Sequence, residues 1–299
     1  METLYRSDIV RVTDVRCRPR EHGCGAEECA FTDDIVFPRS GFFVRHVGKE
    51  TTAADPNAVL FFRRQEPYRI SHPVCGGDDC TSFTFAPKLL HDAFDTYCPS
   101  AEERNGCPFG AQRALSGAGR FLIQQQFRRV VRATRNSQDG IVDGLTLDEF
   151  ALTLLDGVAR DASVQHGGHK KGQRGDTALA HRDLVENTRE WLSKNMRKRV
   201  TLPQMAHAVH SSPFHLSRVF QRHTGLPIHR YLTRLRLRES LERLADGSPH
   251  LTELALSLGF AGHSHFSDAF RREFGLTPSA FRDRASSSLI RQMSKNLKA

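Results

Sequence analysis

Two stretches near the C-terminus, Leu202–Gly225 (LPQMAHAVHSSPFHLSRVFQRHTG) and Leu251–Gly275 (LTELALSLGFAGHSHFSDAFRREFG), repeat one another. Phe220 and Phe270, Leu216 and Phe266, and Gly225 and Gly275 lie 50 residues apart, whereas Ala206 and Ala255 lie 49 apart. The second copy therefore carries one extra residue between its two segments. In the first copy Leu202, Met205, Ala206 and Val209 recur at helical spacing until Ser211-Ser212-Pro213 interrupts them. Ser212 is placed to cap a second helix and Pro213 to begin it. Leu216, Val219, Phe220 and His223 then continue the period to a glycine stop at Gly225. The second copy follows the same plan through Leu251, Leu254, Ala255 and Leu258, a turn at Gly259–Gly262, and Phe266, Ala269, Phe270 and Phe274. Each copy reads as a helix-turn-helix, a geometry that lays its second helix in the major groove of DNA.

Several motifs in this region agree in order and spacing with one family. They are Leu202-x-x-Met205-Ala206, Ser212-Pro213-x-x-Leu216-x-Arg218-x-Phe220, and Gly225-x-Pro227 followed by Tyr231. In the second half they are Glu253-Leu254-Ala255-x-x-x-Gly259-Phe260, Ser264-His265-Phe266-Ser267-x-x-Phe270-Arg271-Arg272-x-Phe274-Gly275-x-Thr277-Pro278, and Phe281-Arg282. At these residues the chain resembles the AraC/XylS-type transcriptional regulators, over about its last third. The resemblance implies a cupin-like N-terminal domain and an all-helical C-terminal domain with two helix-turn-helix motifs. It also implies double-stranded DNA and RNA polymerase as partners, with activation as the commoner outcome.

The chain has 299 residues, enough for two domains that each bury a core. Its net charge of +9 is uneven: residues 181–299 hold 20 Lys/Arg against 10 Asp/Glu, and the preceding 180 hold 23 against 24. The basic excess thus falls on the helix-turn-helix part, as a footprint for phosphate would. No run approaches the roughly 18 apolar residues of a membrane span, and Met1–Val10 lacks the apolar core of a signal peptide. A cytoplasmic location without membrane association is expected, with the seven cysteines mostly as thiols.

Residues 1–86 read as short strands at 9–12, 34–37, 41–44, 58–62, 68–70 and 81–85, separated by turn residues. Even spacing of short strands predicts a small sandwich or barrel of jelly-roll type, and the fold class is α+β in two domains. No His-x-His pair accompanies His46 or His72, so a metal-dependent cupin enzyme is not expected. Cys24-x4-Cys29 and Cys75-x4-Cys80, with Cys17, His22 and His72 near them in sequence, leave three readings open. They form a zinc site, a thiol redox sensor, or buried small hydrophobes beside a Gly-Asp turn.

Residues 87–160 read as helical: Leu89–Tyr97, a long amphipathic helix Ala111–Thr134, and a helix from Thr146 with Glu149 completing a capping box. Their stripes either pack on the strands or pair two subunits, and the resemblance implies a homodimer through them. The domain limits are 1–160 for a sensing and dimerisation domain answering an unknown small-molecule effector, 161–180 for a flexible, polar, Gly-rich linker, 181–284 for the DNA-binding domain, and 285–299 for a basic tail. The linker is expected to let the DNA-binding half reorient.

With Leu216 and Phe220 inward, the opposite face of the first recognition helix presents Phe214, His215, Ser217, Arg218 and Gln221. The resemblance places Phe214, Ser217 and Arg218 at base-reading positions, and His263, His265, Ser267 and Asp268 at those of the second unit, where Ser264 is also exposed. Arg218 suits a bidentate pair with guanine, and His265 an acceptor or a thymine methyl. Asp268 either accepts from a cytosine amine or, as favoured here, pairs with Arg271 or Arg272 along the helix. Arg271 and Arg272 suit phosphate. The expected function is sequence-specific DNA binding by a non-enzymatic regulator controlled by its N-terminal domain; the alternative input is metal or thiol chemistry at the cysteines.

Overall fold

The computed structural model describes residues 1–19, 24–97, 109, 112–136, 143–166, 175–245 and 250–283. The N-terminal part holds β1 (Glu2–Arg6), β2 (Val10–Cys17), β3 (Glu28–Cys29), β4 (Asp34–Gly41), β5 (Phe43–Val47), β6 (Glu50–Ala54), β7 (Ala58–Phe62), β8 (Pro67–Ser71), β9 (Asp78–Phe85), α1 (Pro87–Tyr97), β10 (Arg113–Leu115), α2 (Ala118–Asn136) and α3 (Gly144–His166). The C-terminal part holds α4 (Gly175–Asn195), α5 (Leu202–Ala208), α6 (Pro213–Thr224), α7 (Ile228–Ala245), α8 (Leu251–Ser257), α9 (His263–Phe274) and α10 (Pro278–Asp283).

Strand alternation explains the layers. On β4, Ile35 and Phe37 join a core with Val59, Phe61 and Phe83 that is closed by Leu90 of α1, Phe127 and Val130 of α2, and Phe150, Leu154 and Val158 of α3. The intervening Val36 points the other way, with Leu60 and Cys80, onto Phe43 and Ala54 of a second sheet. Burial on both faces is why β4 and β7 read as continuous apolar runs rather than alternating ones. Six strands form one sheet in the order β1-β2-β9-β4-β7-β10 and four form the other in the order β3-β8-β5-β6.

The expected closed, cupin-like barrel is not formed among the described residues. The strands of each sheet pair only within that sheet, and three helices cover the face of the larger one. The result is a helix–sheet–sheet sandwich. Three further expectations shift. Arg113–Leu115, read as helix, is the edge strand β10 against Ala58–Leu60, because Ala114 is buried and Ser116 N donates to Asn57 O (2.9 Å) before the helix begins. Helix α3 starts at Gly144, and the carboxylate of Asp143 accepts from Thr146 N (2.7 Å), so the cap lies three residues before the expected one. Residues 161–166 and 175–180 of the expected linker are helical, since Ala162 continues the buried stripe of α3. Residues 167–174 and the tail 285–299 lie outside the described residues, as does His22.

The amphipathic helices bury their stripes within the chain. Helix α2 divides its stripe between two cores: Phe127, Val130 and Val131 enter the sandwich, while Phe121 is fully buried among Leu237, Leu241, Phe266 and Phe270 of the C-terminal part. Around it lies a polar interface between the two parts. The Arg238 guanidinium donates to Ser116 O (2.5 Å) and Pro56 O and stacks on the Phe121 ring (4.7 Å to its centroid). Tyr231 Oη donates to Asp55 Oδ2 (2.5 Å), and Asn57 Nδ2 donates to Tyr231 O (3.1 Å). Glu242 accepts from Arg39 (2.7 Å), Arg128 (3.0 Å) and Gln125, and Arg39 also holds Asp14 (2.5 Å). Arg113 and Ala53 N both donate to Glu186 Oε2, at 2.7 and 2.8 Å. The C-terminal part is therefore docked on the sandwich rather than loosely tethered.

Removing a buried ring leaves a cavity. Phe121→Ala should cost about 3–5 kcal/mol, read as a lower urea midpoint, although residue 121 is far in sequence from the domain it stabilises. Burial works to raise Glu186, but its pair with Arg113 overrides that and lowers it from 4.5 to about 2. The contribution of a depressed carboxylate is present above its unfolded pKa and lost as pH falls through its folded one. Wild-type stability should therefore fall more steeply than that of Glu186→Gln between about pH 4.5 and 2, measured by denaturant unfolding across that range.

Candidate nucleic-acid interface

Both helix-turn-helix units form as the repeat requires. Helix α5 is capped by Thr201, whose side chain and Gln204 make a capping box. Helix α6 is capped by Ser212, which accepts from His215 N (3.2 Å), has Pro213 in its first turn, and ends at a left-handed Gly225. Helix α9 follows Gly262, without a side-chain cap, and ends at the left-handed Gly275. The turns match as well: Ser211 N bonds Ala206 O (2.8 Å) and Phe260 N bonds Ala255 O (3.0 Å). The position before each is left-handed, His210 (φ 53°) in one unit and Gly259 (φ 79°) in the other. The extra residue of the second unit lies after Phe260, whose ring is buried and touches His265 and Phe266 edge-on.

Leu216, Val219 and Phe220 of α6, and Phe266, Ala269, Phe270 and Phe274 of α9, are buried. Their opposite faces carry the expected site residues. Phe214, His215, Arg218 and Gln221 are exposed and Ser217 is half-buried; Phe214 is 78% exposed, so it is not a lid on the core. His263, Ser264, His265, Asp268, Arg271 and Arg272 are exposed and Ser267 is half-buried. Phe214, Ser217, Arg218 and Gln221 line one shallow concavity together with Arg222. Arg222 was not singled out from sequence, although it lies one helical turn beyond Arg218 and could have been. Ser267 Oγ lies 3.4 Å from His263 Nε2.

The favoured pairing of Asp268 with Arg271 or Arg272 is not formed; among the described residues Asp268 makes no ion pair. All three side chains are exposed, where such a pair gains little over hydration. Asp268 is thereby left available to a base edge. Behind α6, the His181 ring of α4 packs against His215 and His223, with ring centroids 5.4 and 5.9 Å apart.

Helix α7 supports both units and is buried on nearly every side. Tyr231, Leu232 and Leu235 enter the core of the first unit, and Leu237, Leu241 and Leu244 that of the second. Most of its arginines bind protein. Arg234 pairs with Glu273 of α9 (2.8 Å), Arg236 donates to Met196 O (2.6 Å) and Lys198 O (2.8 Å), and Arg243 pairs with Glu239 (3.1 Å).

The cysteines divide. Cys24, Cys29 and Cys75 are exposed, Cys17 is half-buried and Cys80 buried. The two Cys-x4-Cys pairs do not assemble into one site; instead Cys17 meets His72 and Asp78. Asp78, read from sequence only as a turn residue, was missed as a ligand candidate. The Cys17 thiol is pushed up by burial, then by Asp78 and Glu28, and the Cys80 thiol well up by burial and Asp78. Neither is the low-pKa thiolate that a redox sensor needs.

A helix-turn-helix domain model matches residues 205–284. The chain is 38% identical over 99 residues to the HTH-type transcriptional activator RhaS of Escherichia fergusonii, covering 33% of this chain and 36% of that one. It is 34% identical over 187 residues to RhaS of Yersinia pestis, covering 56% and 64%. The C-terminal helix-turn-helix part of the chain is of the AraC/XylS type. A third relative is the bifunctional transcriptional activator/DNA repair enzyme AdaA of Bacillus subtilis, 28% identical over 100 residues that cover 33% of this chain and 47% of AdaA. The chain thus spans between about a third and just under two thirds of the length of the curated relatives it matches.

The AraC/XylS-type turn of the second unit makes a specific demand. A Cβ on Gly259 would lie 2.8 Å from Arg236 Nη2 and 3.0 Å from Arg197 O, at a left-handed φ. Gly259→Ala should destabilise the protein by about 1–2 kcal/mol from the backbone alone, seen as a lower melting temperature. A comparable stability would show that this turn is not held as described.

Proposed function

We propose that this AraC/XylS-type protein is a sequence-specific DNA-binding regulator, an activator without enzymatic activity, whose N-terminal sandwich receives the input. The observation that carries the reading is the pair of recognition helices, α6 and α9, each with a buried apolar face and a polar, partly cationic outer face, both anchored on α7. Relatives named as transcriptional activators over the same region support it. No helix among the described residues is long and apolar enough to cross a membrane, and the proposed site of action is DNA in the cytoplasm, with RNA polymerase as the further partner.

In this reading Phe214, Ser217, Arg218, His263, His265, Ser267 and Asp268 face bases, with His215, Gln221 and Ser264 beside them, and Arg271 and Arg272 hold phosphate. The docked interface gives the input something to act on. An effector that binds the sandwich differently in docked and undocked states shifts the population of the DNA-competent arrangement. A homodimer would not use the inner stripes of α2 and α3, which are buried within the chain, whereas the outer face of α3 leaves Leu145 and Leu152 exposed.

Selection of duplexes from a randomised library by the full-length protein should return a site with two blocks about 10 base pairs apart. Arg218→Ala should then weaken binding by about 1–3 kcal/mol and relax the preference at one base position. Arg272→Ala should weaken all sequences alike and lower the salt slope by about 1. Unchanged affinity and base preference in Arg218→Ala would remove α6 from the interface.

A further inference from the structure

We propose that the sandwich holds one thiophilic divalent metal ion of the zinc class, bound by Cys17, His72 and Asp78 with the fourth position open. The backbone brings these residues together. Strands β2 and β9 pair antiparallel with Cys17 opposite Asp78. After β8, the chain turns at Gly76 and Gly77, both left-handed (φ 101° and 71°), and returns as β9. That turn sets His72 against Asp78, with Nε2 2.6 Å from Oδ1. The approach is close enough that only glycine fits: a Cβ on Gly77 would lie 2.0 Å from Cys17 O, and one on Gly41 2.0 Å from Gly77 O.

The donor set then matches the metal. One ligand atom each from Cys17, His72 and Asp78 all lie within 4.8 Å of one another; Cys80 lies outside that group and its thiol donates to the other carboxylate oxygen of Asp78 (3.2 Å), which orients the carboxylate. Metal–ligand bonds of about 2.0–2.3 Å put tetrahedral ligand atoms about 3.3–3.8 Å apart, so side-chain rotation without backbone change suffices. A sulfur, an imidazole nitrogen and a carboxylate oxygen suit zinc and exclude calcium or magnesium as the preferred ion. His72, Asp78 and Cys80 are each no more than 5% exposed, which gives a dry site, and half-buried Cys17 is the side from which an ion enters. Cys24, Cys29 and Cys75 take no part.

The position also has a consequence for regulation, which rests on the regulator reading. Arg39 donates to Cys80 O (3.3 Å) as well as to Asp14 and Glu242, so the ion would sit beside the network that docks α7.

The test uses reduced, chelator-treated full-length protein without DNA, so it is independent of the DNA-binding reading, and cobalt(II) as the probe. One equivalent should produce a thiolate-to-cobalt charge-transfer absorption that zinc(II) bleaches. Cys17→Ser should weaken cobalt binding at least tenfold, while the triple variant Cys24→Ser, Cys29→Ser, Cys75→Ser keeps the absorption. In the wild-type protein, which needs no variant to fold, zinc should protect Cys17 from alkylation and leave Cys24 and Cys29 reactive. Absence of the cobalt absorption, its loss in the triple variant with retention in Cys17→Ser, or equal alkylation of Cys17 with and without zinc would each overturn the proposal and return these residues to a hydrogen-bonded cluster.

Discussion

Arg238 carries a guanidinium with no exposure to solvent, held between the carbonyls of Pro56 and Ser116 and against the face of Phe121. Burial lowers it to about 10, so it stays charged at neutral pH, and a buried charge is tolerable only when its partners are in place. The partners come from the sandwich, whereas the arginine belongs to the helix that carries the DNA-binding units. Tyr231–Asp55 and the Glu242 cluster are arranged around the same helix, and Glu186 of α4 adds its contacts to Arg113 and Ala53 beside it. Undocking would leave Arg238 to be resolvated together with Arg39 and Glu186, which makes the docked state a discrete arrangement rather than a gradual one.

That constraint separates two populations of basic residues that composition sums together. Arg234, Arg236, Arg238 and Arg243 bind carboxylates and carbonyls of the protein itself. Arg218, Arg222, Arg271 and Arg272 stand exposed on the recognition helices. The positive charge of the C-terminal third therefore has a part bound within the protein and a part left exposed on the recognition helices. Helix α7 also explains why the two units form one body: it gives successive apolar residues to one core and then to the other.

The sandwich shows the same division of labour between faces. Its helix-covered face is apolar and makes the domain fold. The edge of that same face, where α2 crosses it, carries Asp14 with Arg39, Arg128 and Arg132, whereas the opposite face and the adjoining turns hold Cys17 with His72 and Asp78. The glycines at 41 and 77 permit the close backbone approach on which the second group depends.

The sequence by itself determined the C-terminal part almost completely, because helix-turn-helix units are written in local signals: the 50-residue repeat, Ser212-Pro213, the stops at Gly225 and Gly275, and an apolar face that leaves Arg218 and Asp268 outward by helical geometry. Six of the strands were legible for the same reason. Tertiary structure alone decided what depends on partners distant in the chain. Arg113–Leu115 became an edge strand because Ala58–Leu60 offered it a ladder, and Phe121 left its own domain to fill the core beneath α9. Of the sandwich and the barrel that the strand spacing left open, the sandwich formed; much of the expected linker became helix, and Asp78 joined Cys17 in place of a second cysteine pair. Periodicity records which face of an element is apolar; it holds no record of what that face will meet.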